Sequence, residues 1–379
     1  MNSATTEAFL AKSDSSAAEA NAAKQACRTT SIVALLMSGS ALAGFPSIAH
    51  AQNASELVPN EQTATRGEQE AEITTLDLDG FGQSFAPLAA QSELGWGGSS
   101  SDYGYLGNWI PSSEGIPDAG TIAHFSRYGN STVDLGGDQY SVHSWTVAGN
   151  RDFTFQNGKI NFAGDGGLFN SSSGTVTVDV NLGTSGTISQ DGPGTLVLSG
   201  YSADFKGEIR LNGGTVSLGD SSGNVPHQAT YTFDGGRLLL NNNLGSFRSN
   251  TQGPKFNFDQ GKEGTIAVAT GRKAVLQRQQ ITVGQNATIR LGSKDDGEGI
   301  LVIGAGEGTR LIGGNRRVVI EAGTVELMND SRSAQKGLLS TASKVVVTEG
   351  ATLNLNNADD YDRVELRGLE GTGTVKNAY

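Results

Sequence analysis

The sequence is nearly without cysteine: Cys27 is the only one in 379 residues. It lies before an apolar segment of signal-peptide character, whereas a lipoprotein places its cysteine directly after such a segment. Removal of that segment leaves a chain without thiols, which excludes disulfides, thiolate metal ligands and cysteine nucleophiles. Basic residues are also scarce, 27 Lys and Arg against 39 Asp and Glu, giving a formal net charge of −12. The best basic cluster, Arg316 and Arg317 with Arg310 nearby, is too small to neutralise a run of phosphates, so nucleic acid is not an expected partner. Proline is held to 8 residues and aromatics to 7%. No apolar run approaches the roughly 20 residues of a membrane-spanning helix.

Glycine is abundant, with 53 residues, about twice average usage. It does not recur at every third position, which excludes a collagen-like chain. The apolar residues are mostly Val, Leu and Ile in short runs, the composition of many short strands joined by tight turns. The expected class is all-β.

Residues 1–51 read as an extended signal peptide. Arg28 precedes the apolar run Ile32-Val-Ala-Leu-Leu-Met37, and Ala49-His-Ala51 is an A-x-A cleavage site, with cleavage expected before Gln52. The competing reading, a membrane anchor, is weakened by Ser38, Gly39, Ser40 and Pro46. Residues 52–93 are polar and acidic and read as a flexible linker. Within them Leu76-Asp-Leu-Asp79-Gly80 offers two carboxylates to a calcium ion but lacks the further ligands of a helix-loop-helix site. All three tryptophans, Trp96, Trp109 and Trp145, fall in the next stretch, read as an N-terminal capping β module over 94–170. Their role is core or cap packing, with a sugar-stacking platform as the alternative.

The remainder, 171–379, reads as a repeat array. A small residue, usually followed by Thr, and then two apolar residues flanking a variable one, recurs at Gly174-Thr-Val-Thr-Val178, Gly194-Thr-Leu-Val-Leu198 and Gly214-Thr-Val-Ser-Leu218. It continues in starts at Gly236, Gly264, Ala287, Gly323, Ala351 and Gly373. The longest step, from Ala287 to Gly323, holds an extra run, Gly299-Ile-Leu-Val-Ile303. Preceding strands are expected at Ile209/Leu211, Phe256/Phe258, Ile281/Val283, Val318/Ile320, Val345/Val347 and Val364/Leu366. Alternation puts each apolar pair on one face. A single unit cannot bury its pairs, but parallel stacking at about 4.8 Å turns them into continuous inward ladders. About ten such rungs span on the order of 50 Å. Glycine, together with Asn241, Asn242, Asn243, Asn356 and Asn357, is expected at left-handed corners.

Gly192-Pro-Gly-Thr-Leu-Val-Leu-Ser-Gly200, Phe205-Lys-Gly207 and Leu211-Asn-Gly-Gly-Thr-Val-Ser-Leu-Gly219 resemble the autotransporter-associated β-strand repeat of Gram-negative passenger domains. Asn108-Trp-Ile-Pro, Gly115-Ile-Pro117 and Ala123-His-Phe125 are similar to the Trp-rich module that often precedes such repeats. The resemblance spans Trp96 to Tyr379 and is strongest over 189–219. It implies an exported, right-handed parallel β-helix displayed at the cell surface or released. It also implies a partner, an outer-membrane translocator barrel that this sequence does not contain. It implies no catalytic, cofactor-binding or metal-binding residue, because the repeat is architectural. Adhesion to glycans or proteins of host or bacterial surfaces is the role expected of it.

Other motifs carry alternatives. Gly219-Asp-Ser-Ser-Gly223 is close to a serine-protease nucleophile loop but has Ser where that loop has Gly. Gly304-Ala-Gly-Glu-Gly308 lacks the following helix that a phosphate site requires. His124, His143 and His227 lack metal-ligand spacing. The enzymatic alternative is a β-helix polysaccharide lyase or glycoside hydrolase, with Asp295-Asp-Gly-Glu298 and Asp359-Asp-Tyr-Asp362 as its densest acidic groups. A stalk that holds another domain away from the membrane is the third reading.

Overall fold

The computed structural model describes residues 91–219, 225–241, 253–276, 280–296, 298–303, 316–327, 339, 342–355 and 366–377. The expected signal peptide, nearly all of the expected linker, Asp220–Gly223 of the protease-like turn, the Gly304–Gly308 corner and the Asp359–Asp362 cluster lie outside them. The chain divides into Met1–Ser84 and Phe85–Tyr379, and every described residue belongs to the second unit.

That unit is a parallel β-solenoid. One sheet has ten strands, nine of them parallel, a second has eleven along its main path with one more attached, and a third has five. Its first strand, Ser92–Trp96, starts inside the stretch expected to be linker. The first two sheets run through residues 170 and 171 without a break, since Gly167–Asn170 pairs with Thr187–Gln190 and Phe153–Phe162 pairs with Thr175–Leu182.

Period-2 alternation builds the core. In the first sheet one inward column stacks Leu94, Ala123, Trp145, Leu168, Ile188, Ile209, Tyr231, Phe256 and Ile281, one residue per rung. In the second sheet Val176, Leu196, Val216, Leu238 and Ile266 do the same. These side chains are at most 2% exposed. A fully buried aliphatic or aromatic side chain stabilises by about 1.5–3 kcal/mol, so the stacked columns supply the main driving force.

One column position departs from the apolar rule. Asn170 and Gln190 point inward on successive rungs and are fully buried. Asn170 Nδ2 donates to Gln190 Oε1 at 2.7 Å, and Gln190 Nε2 donates to the carbonyls of Gly192 at 2.8 Å and Gly194 at 3.2 Å. The buried amides satisfy each other and the Gly192 carbonyl, and add a second donor to Gly194 O, which already accepts from Thr215 N–H.

Two sequence expectations are corrected. The small-Thr strands do not form one column: those from Thr175 to Thr288 lie in the second sheet, whereas Thr324–Leu327, Thr352–Asn354 and Thr374–Lys376 lie in the third. The third sheet begins with Lys273–Leu276 and Ile300–Ile303, so the extra run at 299–303 is the third face of its own rung. Val318/Ile320 and Val345/Val347 accordingly belong to the second sheet, aligned with Leu291, rather than continuing the column of Ile281. Alternation reports inside against outside, but it does not report which of three faces a strand occupies.

The corners are the other correction. The left-handed asparagines are Asn157 and Asn286, with φ of 55° and 60°. Asn241 is not among the positive-φ residues, and Asn242, Asn243, Asn356 and Asn357 lie outside the described residues. Nor is glycine always needed for φ: Gly194 has an ordinary φ, but a Cβ there would collide with the carbonyl oxygen of Gly174 one rung below. Close approach of successive rungs selects glycine at that position.

Candidate interaction surface

The tryptophans face the core. Trp96, Trp109 and Trp145 are 2%, 1% and 0% exposed, which rules out a stacking platform for sugars. They pack with Tyr103, Phe125 and Phe155, Trp145 stacking on Phe155 at 4.6 Å between centroids and Tyr103 meeting Trp109 edge-on at 4.9 Å. Trp109 sits on a two-residue strand, Trp109–Ile110, that pairs antiparallel with Ser92–Trp96 at the end of the first sheet. A short antiparallel strand backed by aromatics ends the parallel ladder there. Indole N–H groups find backbone acceptors, Trp109 Nε1 at Tyr103 O and Trp96 Nε1 at Asn130 O, each at 2.9 Å.

The structure brings together a Ser–His–Asp set that sequence spacing did not reveal. His143 Nδ1 lies 2.8 Å from Ser144 Oγ, and His143 Nε2 lies 3.2 Å from Asp165 Oδ1. Hydrolysis by such a triad needs an exposed serine and a buried, orienting carboxylate. Here the exposures are reversed: Ser144 is 3% exposed, and the Asp165 side chain is 99% exposed. Ser144 Oγ also accepts from Gly167 N–H at 3.2 Å, so it ties two rungs together and is closed to a substrate. His124 makes a parallel contact, with Nδ1 2.5 Å from Thr146 Oγ1 and Nε2 3.5 Å from Glu93. His227 lies on a different rung from either.

The acidic group Asp295-Asp-Gly-Glu298 is the sequence-derived candidate that the described residues hold most fully. It is not a pair of free carboxylates. Arg237 Nη1 donates to Asp295 Oδ2 at 3.2 Å, and its Nε lies 3.0 Å from Asp296 Oδ2 without hydrogen-bond alignment. Burial raises the Asp296 pKa above the ordinary carboxylate range, while Arg237 and Ser293 oppose the shift. Asp295, by contrast, keeps 84% of its side chain exposed.

Beside this segment runs a polar groove of about 410 Å³, lined among others by Thr215, Arg237, Thr265, Ser293, Lys294 and Glu321. A second groove of about 290 Å³ shares Lys294 and Glu321 with it and continues to Glu298 and Glu349. Lining by hydroxyls, glycine backbone and charges of both signs suits a hydrated polar ligand or a protein surface better than an apolar small molecule.

Arg237 is the residue that sequence reasoning passed over. The strand register places it opposite Thr215 and Thr265 in a column that also holds Thr175 and Thr195. The signal was present as an arginine in the slot where neighbouring repeats carry threonine. Among the described residues no group of three or more His, Cys, Asp or Glu could hold a metal ion, and no helix is long and apolar enough to cross a membrane. Comparisons with protein-family models, with curated proteins and with solved structures returned no match.

Proposed function

We propose that the chain is an autotransporter-type passenger, exported through the inner membrane by its signal peptide. It is translocated by an outer-membrane barrel and acts without catalysis as an adhesive solenoid at the cell surface or after release. The observation that carries this reading is the ladder itself, with inward apolar pairs repeated at every rung and the connecting segments left to vary on the outside. The repeat resemblance over 189–219 points the same way. A scaffold of this kind presents segments at fixed spacing, so weak contacts with surface glycans or proteins add through effective concentration.

Binding of bacteria displaying the chain to host-cell monolayers tests it. Deletion of 292–299, or of 357–363, is expected to reduce adherence several-fold while leaving the far-UV CD spectrum unchanged. Undiminished adherence in both deletions would favour the stalk reading. Turnover of pectin or a polyuronate by the purified chain, abolished by Asp295→Ala with Asp296→Ala, would favour the lyase reading.

A further inference from the structure

We propose that residues 293–296 form a strap that opens and closes over the polar groove, with Arg237 as its latch. The first observation is the break in the repeat. Thr175, Thr195, Thr215 and Thr265 share one outward column of the second sheet, and Arg237 replaces threonine on the rung between the last two.

The second observation is how the guanidinium uses its fork. It is anchored backward by two hydrogen bonds to Thr215 Oγ1, from Nη2 at 2.9 Å and Nε at 3.1 Å. Forward, it donates to Ser293 Oγ at 3.0 Å and Asp295 Oδ2 at 3.2 Å and faces Asp296 Oδ2 at 3.0 Å. One side chain thus joins a strand to a segment 56 to 59 positions later in the sequence. A planar five-donor group can bridge both sides at once, which a lysine ammonium cannot do.

The third observation is what else holds the segment. Its sequence, Ser-Lys-Asp-Asp, contains no apolar side chain to bury. Among the described residues, its hydrogen bonds apart from Arg237 are turns, with Asp295 N–H donating to Ser293 Oγ and Asp296 N–H to Ser293 O, and one from Thr270 Oγ1 to Asp296 O, and Ser293 is buried at an isolated β-bridge. With no apolar side chain to bury, the segment is held closed by the Arg237 contacts together with these few polar ones. The groove of about 410 Å³ lies between this strap and the rungs of Thr215, Arg237 and Thr265, and it widens when the strap leaves. The Arg237–Asp295 pair, with Asp295 84% exposed, weakens as the screening length falls from about 8 Å at physiological salt to about 3 Å at 1 M, while Asp296, 11% exposed, is screened less.

Hydrogen–deuterium exchange on the full chain tests the latch. Arg237→Thr restores the residue of the neighbouring rungs, so the fold is retained. The strap amides of Asp295 and Asp296 are expected to exchange about tenfold faster in that variant, while the strand Thr288–Leu291 keeps its wild-type rates. In 1 M NaCl the wild-type strap should accelerate and the Arg237→Thr strap should not. Three results would overturn the proposal: unchanged strap exchange in the variant, an equal acceleration across Thr288–Leu291, or the same salt response in both proteins. Loss of adherence plays no part in this readout, so the latch stands or falls apart from the adhesive role.

Discussion

The rungs before residue 170 and those from residue 208 on share the inward ladder but differ in what is added to it. In the early rungs rings do the work: Trp96, Tyr103, Trp109, Phe125, Trp145, Phe153 and Phe155 form one connected aromatic set. In the later rungs every Lys or Arg ion pair among the described residues appears, including Lys262–Asp234, Lys273–Glu326 and Lys344–Glu370. Arg290 bridges a rung on each side, pairing with Glu263 before it and Glu321 after it. At the first described rungs large rings close the core, whereas the last described strands, Leu369–Gly371 and Thr374–Lys376, are exposed and carry no ring, and Tyr231, Phe233, Phe256 and Phe258 form a smaller stack between the two ends.

The largest test of this contrast is Trp145→Ala. It removes a fully buried ring that touches Tyr103, Phe125 and Phe155, and is expected to cost about 3–5 kcal/mol. The remaining tryptophans, both in the same end, make fluorescence a local probe. Its denaturation midpoint should fall well before that of far-UV CD, and coincident shifts would mean that the two regions unfold as one.

A smaller effect is expected of Arg290→Ala. Its guanidinium is about a third exposed, and surface ties of this kind contribute about 1 kcal/mol or less. Glu263 is also the main reason that the Arg290 pKa is raised. The loss should appear in far-UV CD but not in tryptophan fluorescence, and 1 M NaCl should reproduce it in the wild type. A fluorescence shift of equal size would break the division between regions.

The smallest concerns protons at the aromatic end. Asp134 is held below the ordinary carboxylate pKa by hydrogen bonds from Gly136 N–H, Gln156 and Asn157. A depressed folded-state pKa contributes stability above the unfolded value of about 3.9, and that contribution is lost as pH falls through the folded value. The Tm difference between wild type and Asp134→Asn should therefore be constant near neutrality and shrink below about pH 4. A gap that widened in acid would show that the carboxylate is not what stabilises this corner.

The sequence exposed some of this architecture and hid the rest for identifiable reasons. Thr175, Thr195 and Thr215 were readable as stacked partners because a small corner residue, Thr and period-2 apolar pairs recur at near-constant spacing. The handover to a third sheet between Ala287 and Gly323 was not, because the same pattern serves any face. Burial of Trp145 agreed with its reading as packing, but the meeting of His143, Ser144 and Asp165 depends on a turn that brings a residue 22 positions away into contact. Arg237 belongs with these, since its partners Ser293 and Asp295 lie 56 or more positions away and no local pattern marks them.

The in-register pairing of Thr175, Thr195 and Thr215 also makes length a quantity that comes in steps. Each of those strands opens after a glycine and the step between them is 20 residues, so joining Gly194 to Thr215 presents to Thr175 a threonine again, with Val216 and Leu218 as the inward pair in place of Leu196 and Leu198. Whole rungs can therefore be gained or lost in 20-residue steps that keep a threonine and an inward apolar pair at each level. In such a molecule, how far a loop stands from its anchor can change faster than what the loop is made of.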